Sequence, residues 1–448
     1  MLADWLERRF ELSRHGTTPS TEAMAGLTTY LALAYIVVVN PVILGTTGMD
    51  RGAVMVATCL TSALATLLMA FRANMPIALA PGMGVNAYFA FTVCGAMKVP
   101  WQTALGATVI SGLMLAALTL TNLRRAIVDA VPFSIKLAIG VGIGLFITFI
   151  GLEWSGLIAP SPATLVTLAD LSHPAALTSL CGLGLTALLI ARGVRGAILI
   201  GIFANCLIAL ALGLTKFEGV MQWPPSLAPT LFAADIRGAL GRGAASVIFT
   251  FFFIDLFDTL GTLIGVGHRA GLLDKEGNMP GLDRALMADA VGTTAGGLLG
   301  TSTITAYIES AAGIAAGGRT GLTNVVTAFL LAASMFFYPI VQMLSHELTT
   351  KATGGLLLRP IVAPALIVVG FFMMQAVGEI NWEDPVEGLP AFFAMVTVPL
   401  TFNIANGIAV GFIAHAFVRT AVGRWREVKP LTYVLAAACL ARFIWLAD

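Results

Sequence analysis

Long apolar runs, separated by short polar or charged links, fill this chain from residue 27 onward. They lie near 27–45, 53–71, 77–97, 102–121, 135–152, 176–191, 195–214, 245–265, 286–300, 304–317, 321–344, 361–378, 388–402 and 403–422. About 20 apolar residues in a helix cross the hydrocarbon core of a bilayer, so each run is read as one crossing or part of one. The pattern predicts an all-α polytopic membrane protein with about fourteen transmembrane segments. Two of them, 77–97 and 304–317, are interrupted and are the candidates for broken helices. Each takes the third position in its half of the chain. Seven segments per half is an odd number, so the halves insert with opposite orientation, as the inverted repeats of secondary transporters do. A further apolar stretch, 430–447, contains Arg442 and reads either as an interfacial helix or as an extra span.

The chain is organised around Thr301–Thr323, TSTITAYIESAAGIAAGGRTGLT. The Thr-Ser-Thr-Ile-Thr lead-in has extended character, which predicts a half-helix starting inside the membrane. Glu309 sits in this stretch. A carboxylate at membrane depth costs at least ~2.5–3.5 kcal/mol on insertion scales, so it needs a partner or a water-filled cavity. The small residues around it, such as Gly313 and Gly317, permit close packing of backbones.

Composition agrees: 58% of the 448 residues are hydrophobic and 11% charged, with a mean hydropathy of +0.89. Soluble domains carry about 25% charged residues, so a soluble enzyme is excluded. The net charge of +1 gives no sign of a nucleic-acid partner. The five cysteines lie in apolar stretches without metal-ligand spacing and read as small buried hydrophobes. No metal or other cofactor is implied. The first 25 residues lack the apolar core of a cleavable signal peptide.

Basic residues set the orientation. With the N-terminus inside (Arg8, Arg9, Arg14), alternate loops are basic: Arg72; Arg124, Arg125 and Lys136; Arg192 and Arg195; Arg269, Lys275 and Arg284; Arg319; and Arg419, Arg424, Arg426 and Lys429. Both termini are therefore expected in the cytoplasm. Two loops run against the trend. Loop 213–244, assigned outside, carries Lys216, Arg237 and Arg242, and loop 379–387, assigned inside, carries Glu379, Glu383, Asp384 and Glu387.

Four further residues inside membrane segments carry candidate chemistry. Asp255 and Asp258 lie three apart in FTFFFIDLFDTLGTLIG, on one helical face that Thr259 and Thr262 extend. They read as a polar substrate or coupling-ion site, or else as a structural pair. Asn86 follows Gly82 and Gly84 in the third segment and either reads one edge of a heterocycle or caps the half-helix that begins there. Tyr307 reads either as packing or as a binding residue. Burial and neighbouring aspartates favour a proton on Glu309, making it a candidate coupling group, with Asp255 next.

Four stretches, HGTTPSTEAMAGLTTYLALAYIVVVNP (15–41), ALAPGMGVNAYFAF (78–91), DLFDTLGTLIGV (255–266) and AYIESAAGIAAGGRTGLTNVV (306–326), resemble the AzgA-like purine permeases. These are the adenine/guanine/hypoxanthine branch of the nucleobase–cation symporters, and the likeness runs from about residue 10 to 447. The resemblance implies two inverted repeats of seven segments. It implies a core domain from segments 1–4 (1–122) and 8–11 (245–345), and a gate domain from segments 5–7 (123–215) and 12–14 (360–448). Substrate would sit between segments 3, 8 and 10, with transport by sliding of core against gate, usually coupled to protons. Carried over by motif position, Asn86 matches the binding asparagine, with Gly84 shaping the turn. Asp255 and Asp258 match the acidic residues of segment 8, and Glu309 the binding glutamate of segment 10. Homodimers on this fold and a bacterial inner-membrane location are further implications.

A neutral purine fits such a site. Its N–H groups donate to carboxylates, and its ring nitrogens accept from an amide or from the free N–H groups of a half-helix, in charge-assisted bonds of the strong kind. An acidic site argues against anionic substrates. The expected function is therefore proton-coupled import of purine nucleobases. A uracil or xanthine permease of the sister branch is the alternative. A membrane-embedded enzyme lacks support, because the longest loops carry no catalytic constellation.

Overall fold

The structure, a computed structural model, describes residues 2–121, 131–241, 244–273, 279–349 and 357–445. Arg124, Arg125, Arg242, Lys275 and the last residues of the 430–447 stretch lie outside the described residues. Each of the fourteen apolar runs is a helix, or a strand leading into a helix. Eight helices among the described residues are long and apolar enough to cross a membrane. The third and tenth segments are broken as expected. Leu79–Pro81 is a strand followed by a half-helix, Met83–Ala87, that continues as a wider π-turn helix over Tyr88–Ala96. Ile304–Ala306 is a strand followed by the half-helix Ser310–Ala315.

The chain divides into two compact units: Met1–Thr119 with Gly151–Ala365, and Leu120–Ile150 with Leu366–Asp448. In the larger unit, segment 9 (Leu282–Leu299) packs against segments 2 (Arg51–Leu68) and 4 (Trp101–Thr119), and segment 11 (Gly321–Ala333) against segments 1 and 2. Small residues make these approaches possible. A Cβ on Gly297 would come within 2.9 Å of the Leu105 carbonyl oxygen, and one on Gly296 within 2.8 Å of the Ser302 carbonyl oxygen. The smaller unit is built around Ala138, Val141, Ala391 and Ala394, where segments 5 and 13 meet.

Charge pairing accounts for one of the two anomalous loops. In the smaller unit Asp384 is bound by Arg424 at 3.0 Å, and Glu387 by Arg419, both at the end of segment 14 (Ile404–Ala421). The acidic loop is therefore the counter-charge of the basic cluster beside it. Ion pairing also holds the Asp384 carboxyl below its usual range, after the Val386 N–H that bonds to it. In the larger unit, the described part of loop 213–244 closes over one end of segments 4, 9 and 11, with the N–H of Asp235, Phe232 and Gln222 donating to the carbonyls of Gln102, Leu298 and Phe336.

The stretch after residue 429 is a helix, Pro430–Trp445, about 24 Å long at 1.5 Å per residue. It folds back along segment 14: Tyr433 meets Thr420 at 2.7 Å, and Arg442 reaches Asn406 at 3.3 Å near the opposite end. The cysteines fit the buried reading only in part. Cys59 and Cys206 are buried, but Cys181 is exposed.

Candidate functional site

The two broken segments meet through their strands. Leu79–Pro81 pairs antiparallel with Ile304–Ala306, aligning Leu79 with Ala306 and Pro81 with Ile304. In a bilayer neither strand has water to satisfy its backbone, so each satisfies the other. Further bonds extend the pairing. The Gly82 N–H donates to the Thr303 carbonyl (3.0 Å), the Tyr307 N–H to Ala78 (3.0 Å), and the Ala78 N–H to the Ser310 hydroxyl (3.0 Å). Gly82 is required at the turn, because a Cβ there would lie 2.8 Å from the Thr305 side chain. The turn residue is thus Gly82, and Gly84 lies within the half-helix that follows.

Around this crossing the structure gathers Glu309, Asp258 and Tyr307 with Tyr35 of the first segment. Glu309 is half-buried and accepts a hydrogen bond from the Tyr35 hydroxyl at 2.7 Å. Asp258 is half-buried and bonded by the Thr305 hydroxyl. Tyr307 turns its hydroxyl to the Pro81 carbonyl at 2.6 Å and so pins the tenth segment to the third. Asn86 is enclosed and does not cap the half-helix, whose cap position is Gly82 without a side-chain bond. Its Oδ1 accepts from Ser302, and its NH2 has no partner.

Asp255 parts from Asp258. A step of three residues turns a helix by 300°, which leaves the two side chains about 60° apart. Asp255 is fully enclosed and accepts from the Thr293 hydroxyl of segment 9 at 3.0 Å. Beside it lies Asp289, which the sequence reading passed over. Asp289 is also fully enclosed, with the Thr259 hydroxyl as its polar neighbour. An aspartate within the apolar pattern of segment 9, seven residues before Gly296, was the available signal.

Two other residues shape the site from outside. Glu22, fully enclosed, accepts from the N–H groups of Arg319 (2.9 Å), Thr320 (3.3 Å) and Thr323 (3.1 Å), where segment 11 begins. A carboxylate suits the unpaired N–H groups and positive dipole end found there. Arg319 in turn donates to the Ile314 and Gly318 carbonyls (both 2.7 Å), at the C-terminal end of the tenth half-helix. The GGRTGLT stretch therefore anchors the half-helix that carries Glu309. Among the described residues no group of three or more His, Cys, Asp or Glu is placed to hold a metal ion.

The arrangement offers two half-buried carboxylates, each held by a hydroxyl, beside a crossing of extended backbone. Such groups accept N–H donors from a planar polar ligand and leave its hydrophobic faces to the surrounding side chains.

Comparison with known proteins places these features in context. The permease family (Xan_ur_permease) matches residues 20–410. The putative permease MJ0326 of Methanocaldococcus jannaschii is 50% identical, covering 100% of both chains. The adenine permease AdeQ of Escherichia coli is 42% identical over 99% of this chain and 97% of its own. The guanine/hypoxanthine permease PbuO of Bacillus subtilis is 43% identical over 95% of this chain and 98% of its own. In fold, the chain resembles the transmembrane domain of a cyanobacterium bicarbonate transporter, BicA, with a TM-score of 0.64 at 14% identity, covering 86% of this chain and 96% of that one.

Proposed function

This chain belongs to the permease family, in its AzgA-like purine branch, and on that premise we propose that it imports purine nucleobases by proton symport. The observation that carries the reading is the pair of half-buried carboxylates, Glu309 and Asp258, held by Tyr35 and Thr305 at the crossing of the third and tenth segments. Glu309 and Asp258 accept the purine N–H groups. Asn86, with its NH2 unpartnered, supplies a donor for a ring nitrogen or carbonyl. Tyr307 and the turn at Gly82 set the distance between the two half-helices. Glu309 and Asp255 are the candidates for carrying the proton.

Transport proceeds by sliding of a core (segments 1–4 and 8–11) against a gate (segments 5–7 and 12–14). Both termini face the cytoplasm of a plasma-membrane protein. Supporting this for the N-terminus, Asn74 in the loop after segment 2 bonds both Phe10 (3.1 Å) and Gly321 (2.9 Å), which brings the basic N-terminus, Arg72 and Arg319 to one side.

The test is uptake of radiolabelled hypoxanthine and adenine by expressing cells, with and without a protonophore, beside Glu309→Gln. Hydrogen bonds to charged groups contribute about 1.5–3 kcal/mol, so Glu309→Gln is expected to weaken apparent affinity roughly 10- to 100-fold. Accumulation should collapse with the protonophore. Absence of any purine uptake or binding by the wild type overturns the substrate class. Uptake indifferent to the protonophore overturns the symport.

A further inference from the structure

Behind the half-buried carboxylates lies a second acidic group that the substrate reading does not use. Segment 8 presents Asp255 and, one turn on, Thr259. Segment 9 presents Asp289 and, one turn on, Thr293. Residues four apart share a helical face, so two Asp–Thr pairs face one another. The Thr293 hydroxyl meets Asp255 Oδ2 at 3.0 Å, and Thr259 is a polar neighbour of Asp289. Asp255 and Asp289 are both fully enclosed, and Oδ1 of Asp255 has no hydrogen-bond partner.

Among the described residues no cation neutralises this square. The charged groups acting on Asp289 are Asp255 and Asp258. Segment 4 has no charged residue, and segment 2 has only Arg51 at its first position, paired to Glu347 at the membrane end. Arg72, beyond the end of segment 2, is exposed. The strands 79–81 and 304–306 carry no charge. Two adjacent carboxylates in an enclosed apolar setting do not both stay ionised. A single proton shared between them would remove that repulsion without admitting any larger ion.

The square also touches the substrate strand. The Ile304 N–H donates to the Thr293 hydroxyl (2.9 Å) and the Ala306 N–H to the Thr259 hydroxyl (3.2 Å). Thr293 has one hydroxyl hydrogen and two acceptors in reach, Asp255 Oδ2 (3.0 Å) and the Ile304 carbonyl (3.1 Å). With Asp255 ionised, that hydrogen goes to the carboxylate. With the proton bound, it is free for the strand carbonyl. The strand leads within three residues to Glu309.

Resting on the purine–proton symport reading, we propose that Asp255 and Asp289 share the coupled proton, and that Thr293 and Thr259 report its presence to the strand carrying the substrate site. Asp289 is then a coupling residue that does not touch the base.

The experiment uses purified protein in liposomes, wild type beside Asp289→Asn. Hypoxanthine counterflow measures substrate exchange without a driving gradient, and accumulation under an inside-alkaline pH gradient measures coupling. Asp289→Asn is expected to keep counterflow within about threefold and to lose gradient-driven accumulation at least tenfold. Accumulation equal to wild type overturns the proposal, as does parallel loss of counterflow and hypoxanthine binding in a variant that remains monodisperse. If Asp289→Asn does not fold, Asp289→Glu decides. It should shift the pH profile of accumulation but not that of counterflow, and an unchanged profile overturns the proposal. Accumulation by the wild type that follows a sodium gradient and ignores a pH gradient overturns it too. A wild type that moves no purine at all fails the function reading itself, a separate outcome.

Discussion

Tyr35 contributes more to the site than its place in an apolar run suggests. It is 1% exposed, yet its hydroxyl finds the Glu309 carboxylate 274 residues away in sequence, at 2.7 Å. A buried tyrosine usually places its hydroxyl on a polar partner, and here the partner is Glu309, the carboxylate proposed to bind substrate. Tyr35→Phe should leave the fold intact and free Glu309 to move. A hydrogen bond to a carboxylate contributes about 1.5–3 kcal/mol, so the expected result is a rise in KM for hypoxanthine of roughly tenfold or more with little change in melting temperature. An unchanged KM would remove Tyr35 from the site. The sequence singled out Glu309, Asp258 and Asn86 because polar groups are rare in membrane segments. It could not single out Tyr35, since a tyrosine in such a segment is unremarkable until its hydroxyl has a partner.

Between elements, the most consequential contact is Glu22 on the start of segment 11. Its carboxylate collects three backbone N–H groups and the Thr323 hydroxyl, the last at 2.5 Å. Glu22→Ala strands those donors inside the protein. Stranded buried groups cost about 1–3 kcal/mol each, so the variant should lose several kcal/mol, melt well below wild type in detergent, and be poorly expressed. A melting temperature within a degree of wild type would show that water replaces the carboxylate without loss. The same contact joins two distant stretches of the sequence, 15–41 and 306–326. Each side of the clasp constrains the other.

At the scale of the whole molecule, ion pairs at the membrane ends hold segments that the apolar core does not. Glu347 takes Arg359 at 2.7 Å and also Arg51, the first residue of segment 2, while Arg359 lies 4.1 Å over the Trp154 ring. Burial pushes the Glu347 carboxyl up, but the Arg359 hydrogen bond and the charges of Arg359 and Arg51 outweigh it and leave it below its ordinary value. A folded-state value below the unfolded one means that the contribution is complete above the unfolded value, near pH 4.3. It is lost as pH falls through the folded value. Melting temperature should therefore drop as pH is lowered below about 4.3, and Glu347→Gln should flatten that part of the profile. An equally steep acid limb in the variant would assign the loss to other carboxylates.

The sequence by itself determined the number of segments, the two broken ones, and the carboxylates Asp255, Asp258 and Glu309, because apolar length and the cost of charge in hydrocarbon act locally along the chain. The acidic loop 379–387 looked misplaced for the same reason: a local count of charge does not see Arg419 and Arg424 arriving from segment 14. Only the tertiary structure decided which face each carboxylate takes. It turned Asp258 towards the half-helix crossing and Asp255 towards segment 9, it joined Tyr35 to Glu309, and it set Asp289 beside Asp255. Those pairings depend on how helices far apart in sequence lie against one another, and a 60° difference on one helix is enough to send two neighbouring aspartates to different partners.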